Sequence, residues 1–128
     1  MEGPFQLAES VIDAVATETA PAVYLVRRIE VTETYAHYKA RIERTDGSAL
    51  KDELKKWIGD GYRVFCFEYV EDDLTAFYRQ CILWHDMGGA VKKLDNERHP
   101  ALHDKSAILC PICSDVPDKS ASTKWSIR

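Results

Sequence analysis

Tyr62-Arg63-Val64-Phe65-Cys66-Phe67-Glu68-Tyr69-Val70, YRVFCFEYV, is the stretch that decides the fold class. It is dense in aromatic and β-branched residues and apolar at odd and even positions alike, the pattern of a central strand covered on both faces. Gly59 and Gly61 precede it and Glu71-Asp72-Asp73 follow, so turn formers mark both ends. Just upstream, Leu50, Leu54, Trp57 and Ile58 recur at i, i+4, i+7 and i+8 behind the turn Asp46-Gly47-Ser48. That spacing predicts a helix over Ser48–Ile58 with Ser48 as N-cap and the apolar stripe turned to the strand. The expected core is therefore Leu50, Leu54, Trp57, Ile58, Val64, Phe65 and Phe67.

Working outward, Leu7, Val11, Ile12 and Val15 follow helical spacing between Gln6 and Thr19, and Pro21 forbids continuation. Ala22 to Val31 alternates as a strand, with Val23, Leu25, Ile29 and Val31 on one face and Arg27 as the misfit. Thr34 to Arg44 fits both periods, and the cleaner period-2 count favours a strand. Leu74 to Trp84 is ambiguous too, since Asp72 can cap a helix that uses Leu74, Phe77, Tyr78, Cys81 and Ile82. The segment Tyr24–Asp46 echoes Tyr62–Asp86, and each echo follows a helix. A duplicated αββ unit would leave such a trace. The expectation is an α+β fold, an antiparallel sheet of about four strands with two or three helices.

The 128 residues, 45% of them hydrophobic, suit one domain with one core and exclude intrinsic disorder. The domain is expected over residues 1–113. Residues 114–128, rich in Ser, Lys and Asp, read as an exposed C-terminal tail unless Trp125 docks back. Seventeen Lys+Arg against 21 Asp+Glu give a net charge of -4, which offers phosphate backbones no attractive field, so nucleic acid is disfavoured as a partner. The N-terminal residues lack the pattern of a secretory signal, and no apolar run approaches a membrane span. A cytoplasmic protein is expected, and with it Cys66, Cys81, Cys110 and Cys113 as thiols or metal ligands rather than disulfides.

Cys110-Pro111-Ile112-Cys113 is the strongest chemical signal, because a C-x-x-C turn brings two thiolates to one side. His99 and His103, four residues apart, lie just upstream. The set His99, His103, Cys110 and Cys113 would make a Cys2His2 centre, and a second combination uses Cys81 and His85. Zinc is the implied ion, since thiolates and imidazoles suit it while calcium and magnesium demand oxygen ligands. The tetrapeptide resembles the first knuckle of RING fingers, but the remaining six ligands do not follow. The zinc deaminases pair H-x-E with P-C-x-x-C. Here Met87 stands where the glutamate must sit and Leu109 where the proline must, which removes the acid/base partner. Thiol redox chemistry needs a helix start behind the thiolate, and Ser-Asp-Val-Pro is a poor one.

Tyr35, His37, Lys39 and Arg41 would line one face of a strand, where interleaved aromatic and basic side chains can take single-stranded nucleic acid. There is no G-x-S-x-G and no phosphate-binding glycine loop, so no catalytic residue is assigned. These features together favour a small acidic binding protein that acts without catalysis on a protein partner, as an inhibitor, immunity protein or adaptor does, with zinc stabilisation. A metal-dependent enzyme built on the Cys/His centre is the first alternative, and a nucleic-acid-binding module the second.

Overall fold

The computed structural model describes residues 1–31, 36–87, 94–96, 99–100, 110 and 112, with the backbone alone at 30–31 and 36–38. Seven elements follow in chain order: β1 (Glu2–Gln6), α1 (Glu9–Val15), β2 (Ala22–Val31), β3 (Ala36–Arg44), α2 (Leu50–Lys55), β4 (Val64–Tyr69) and α3 (Asp73–Asp86). The strands form one sheet in the order β1-β4-β2-β3, antiparallel at every step. This is the expected α+β architecture, and β4, from the YRVFCFEYV stretch, is a central strand.

Both faces of the sheet are covered, which is why β2 and β4 carry apolar residues at successive positions. Tyr24, Val26, Phe65 and Phe67 point to one face and pack with Ile12 of α1 and with Leu50 and Leu54 of α2. Val23, Leu25 and Ile42 point to the other, under Ala76 and Trp84 of α3. Four of the seven expected core residues, Leu50, Leu54, Phe65 and Phe67, are buried. Val64 and Trp57 are half-buried. Ile58 is 40% exposed, because the α-helix ends at Lys55 and the following turns swing that side chain outward. Ala49 rather than Ser48 occupies the N-cap of α2. Ile29 also lies on the surface, beyond the last β2 residue paired with β4.

Two further expectations change. The first helix, expected over Gln6–Thr19, covers only Glu9–Val15, and Gln6 belongs instead to a strand, residues 2–6, that pairs with β4 at the sheet edge, where Pro4 is tolerated. Gly3 makes this pairing possible: its φ is +111°, and a Cβ there would stand 2.7 Å from the Phe65 carbonyl oxygen. The echoed segments also differ in structure. The first is the β2–β3 hairpin and the second is β4 followed by α3, so there is no second αββ unit. Asp72 settles the matter locally by accepting a hydrogen bond from the Thr75 amide at 2.8 Å, which caps α3, while Ala76, Phe77, Gln80, Cys81 and Trp84 bury one helical face.

The chain then returns to the open edge of β3. Leu94, fully buried, bridges Ala40 in parallel, and the Asp95 amide donates to the Ala40 carbonyl at 2.7 Å. The side-chain amide of Asn96 continues this edge pairing: its Oδ1 accepts from the Ile42 amide at 3.2 Å and its Nδ2 donates to the Ile42 carbonyl. An exposed strand edge is thereby satisfied at two residues. Among the described residues, no helix is long and apolar enough to cross a membrane.

Candidate metal centre

α3 supplies the first half of the centre. Its helical rise places Cys81 and His85 at i and i+4, one above the other on the same side. Cys81 is fully buried and clusters with Phe77 and Cys110, with Tyr78 and Ile112 packed alongside. Cys110 is 5% exposed. None of Cys66, Cys81 and Cys110 is in a disulfide.

The second half comes from the strap on the β3 edge. Asp95 is gripped by Arg28, whose Nε and Nη2 donate to its two carboxylate oxygens at 2.9 and 2.7 Å, and by the Tyr62 hydroxyl, which donates at 2.7 Å. The Trp84 indole donates to the Asn96 carbonyl at 2.9 Å. Three residues after Asn96, His99 stands beside α3, with its ring centroid 5.0 Å from Trp84 and 5.1 Å from His85.

The outcome is that the ligand atoms of Cys81, His99 and Cys110 all lie within 4.8 Å of one another, a group that could hold a metal ion. That limit is about 1 Å wider than the edges of about 3.3–3.8 Å of a zinc tetrahedron with Zn–S near 2.3 Å and Zn–N near 2.0–2.1 Å. His99 is also set in the right tautomer. Its Nδ1 is 2.7 Å from the Pro100 carbonyl oxygen, which can only accept, so the contact places a proton on Nδ1, and in the neutral ring Nε2 is then the ligating nitrogen. Burial, and after it the neighbouring His99, hold the His85 imidazole below its ordinary value against the opposing pull of Asp86, which favours the neutral, ligating ring.

Of the residues singled out by sequence, His99 and Cys110 meet here. His103 and Cys113 lie outside the described residues. Cys81, which the sequence offered with His85 as a separate combination, joins His99 and Cys110 instead, so the two combinations contribute to one place. The sequence signal for Cys81 is its C-x3-H spacing with His85. Trp84, Asp95 and Asn96, which position the strap, had no signal that sequence reasoning could use, because their partners lie 12 to 67 residues away in the chain.

The aromatic and basic strip is less available than its sequence suggests. Tyr35 and the side chain of His37 lie outside the described residues, and Lys39 is half-buried. The Arg41 guanidinium is engaged internally: it donates to the Tyr62 hydroxyl at 3.2 Å and to Glu43 at 3.1 Å, and lies 4.9 Å from the Trp57 ring centroid. The acidic turn is likewise spent locally, Asp72 on the α3 cap and nearby Glu68 on a two-bond pair with Arg79.

A depression of about 360 Å³, lined by Thr19, Pro21, Thr45, Gly47, Ser48, Ala49 and Asp73, opens at the start of α3. From Asp73 to Cys81 is about 12 Å along the helix axis, so the depression does not open on the Cys/His cluster. Comparison with protein-family models, curated proteins and solved structures finds no match to the chain.

Proposed function

We propose that the chain is a small acidic, non-catalytic binding protein whose C-terminal part is fixed to α3 by a structural zinc ion, and that it acts on a protein partner as an inhibitor or adaptor does. The observation that carries this reading is the convergence of Cys81, His99 and Cys110. Two thiols and one imidazole are a donor set suited to zinc and foreign to magnesium or calcium. The setting is that of a structural ion. Phe77, Tyr78 and Ile112 pack around the thiols, and the depression at the start of α3 lies elsewhere. Of the described residues after α3, Met87, Leu94, Cys110 and Ile112 join the core clusters, and a metal would add its own binding energy beside Cys110. The net charge of -4 and the internal engagement of Arg41 favour a protein partner over nucleic acid.

Elemental analysis of protein purified without added metal tests the centre. One zinc per chain is expected, falling sharply in Cys81→Ser and Cys110→Ser. A ratio near zero with every thiol titratable under native conditions overturns it. For the partner, pull-down with the zinc-loaded protein should capture a protein that the Cys81→Ser variant loses; nuclease-sensitive capture of RNA or DNA would overturn the protein-partner reading.

A further inference from the structure

We propose that His85, through Nε2, is the fourth ligand of the centre, which is therefore a closed Cys2His2 site of Cys81, His85, His99 and Cys110. The assignment rests on the zinc reading of Cys81, His99 and Cys110 and adds the residue that closes the shell.

Three observations converge on it. First, the Nε2 atoms of His85 and His99 are 3.2 Å apart, while His85 stands outside the set of ligand atoms that lie within 4.8 Å of one another, so its ring has to turn toward the two sulfurs to close the shell. Two imidazole nitrogens bound to one tetrahedral zinc stand about 3.3 Å apart, given Zn–N of about 2.0–2.1 Å, so the pair already has the spacing of two ligands of one ion. Second, in a neutral His99 whose Nδ1–H donates to the Pro100 carbonyl, Nε2 is the unprotonated nitrogen, and it is the atom in contact with His85. In the metal-bound form both Nε2 lone pairs converge on a cation, and the contact ceases to be one between two rings competing for one proton. Third, α3 presents Cys81 and His85 one turn apart, while Trp84, between them in sequence, sets its ring 5.1 Å from His85 and 5.0 Å from His99. Trp84 is thus a common wall that holds both imidazoles, and its own N–H is tied to the strap that delivers His99.

The shell so completed draws two ligands from one turn of α3 and two from the chain beyond it. Four protein ligands leave no position for a substrate or an activated water, which is the arrangement of a structural rather than a catalytic zinc. It also assigns Cys113 no place in the shell, although Cys113 shares the C-x-x-C sequence motif with Cys110.

X-ray absorption on the zinc-loaded full-length protein separates the alternatives. Two sulfur and two nitrogen neighbours are expected; three sulfurs and one nitrogen would hand the fourth position to Cys113 and overturn the assignment. Zinc competition titration gives the second readout. His85→Asn should weaken zinc by more than the roughly 10- to 100-fold that loss of an outer-shell partner costs, while Cys113→Ser leaves affinity unchanged. Unchanged affinity in His85→Asn overturns the proposal. Should His85→Asn fail to fold, His85→Cys loaded with cobalt(II) decides: a stronger thiolate-to-cobalt band than in the native protein, with the tetrahedral visible bands retained, places residue 85 on the metal, and an unchanged spectrum removes it. If the native protein binds neither zinc nor cobalt, the zinc reading itself falls and this assignment with it, an outcome distinct from metal binding that ignores residue 85.

Discussion

The indole N–H of Trp84 donates to the main-chain carbonyl of Asn96 at 2.9 Å, and this bond ties α3 to the strap on the β3 edge. Trp84 is 6% exposed and Asn96 half-buried, so the carbonyl is only partly open to water if the donor is removed. Trp84→Phe should cost about 1–3 kcal/mol, the penalty for leaving a buried polar group unsatisfied, before any cavity left by the lost indole ring is added. Denaturant unfolding with chelator present, so that no metal contributes, measures it. A loss below about half a kcal/mol would mean the strap is not held by this bond.

Strands β2, β3 and β4 were legible because their pattern is local in sequence. Alternation in Ala22–Val31 and the two-faced apolarity of Tyr62–Val70 follow directly from layers on both sides of the sheet. Leu74–Trp84 is ambiguous between helix and strand in sequence, and the Asp72 cap and the face buried against the sheet decide for the helix. Three features were not. β1 has Gly3 and Pro4 in a five-residue strand, and what holds it is the register with β4, a long-range fact. Ile58 keeps helical spacing beyond the point where the backbone leaves the helix. The metal centre was legible as residue types and not as a set, since spacing could not tell that the Asn96 amide would pair with the Ile42 backbone and bring His99 to Cys81.

The contrast between Leu54 and Ile58 tests the end of α2. Leu54 is fully buried among Tyr24, Phe65 and Phe67, so Leu54→Ala should cost about 2–5 kcal/mol through lost transfer energy and the residual cavity. Ile58, on the surface, should cost about 0.5 kcal/mol or less on the same change. Equal losses in chemical denaturation would show that the helix runs on through Ile58 after all.

Gly3 offers a test of β1. Alanine there meets both a positive φ and a Cβ placed 2.7 Å from the Phe65 carbonyl oxygen, a backbone atom that cannot rotate away. Gly3→Ala should destabilise by about 1–3 kcal/mol. Amide exchange should quicken along β1 and its β4 partners and leave the β2–β3 hairpin unaffected. A neutral substitution would remove β1 from the sheet.

Asp95 sets an acid limit on the strap. Burial pushes its carboxyl up, but hydrogen bonds from Arg28 and Tyr62 and the nearby positive charge outweigh this and hold it below the usual aspartate value. A carboxyl depressed in the folded state contributes stability that is fully present above its unfolded value, about 3.9, and is lost as pH falls through the folded one. Unfolding free energy should therefore drop more steeply below about pH 4 in the native protein than in Asp95→Asn. The variant should be the less stable at pH 7, where the bidentate Arg28 pair is lost. Parallel pH profiles would show that Asp95 has no such coupling to the fold.

Chelation should act on the centre before it acts on the sheet. The cluster under α1 and α2, from Ile12 and Tyr24 to Leu54 and Phe67, shares no residue with the Cys81–Cys110 cluster, so its burial does not depend on the ion. Loaded protein should protect Cys81 and Cys110 from thiol reagents, because their sulfurs would be bound as thiolates to the metal. After chelation both should react, while far-ultraviolet dichroism and the exchange protection of α2 and β4 persist. Cys66 supplies the internal control. Burial raises its thiol against the weaker opposing pull of Arg27 and the N-terminus, it lies on β4 outside the Cys81–Cys110 cluster, and its slow reaction should be the same with and without chelator. Loss of the sheet signals together with the exposure of Cys81 and Cys110 would show instead that the ion holds the whole domain and that the apolar core alone does not suffice.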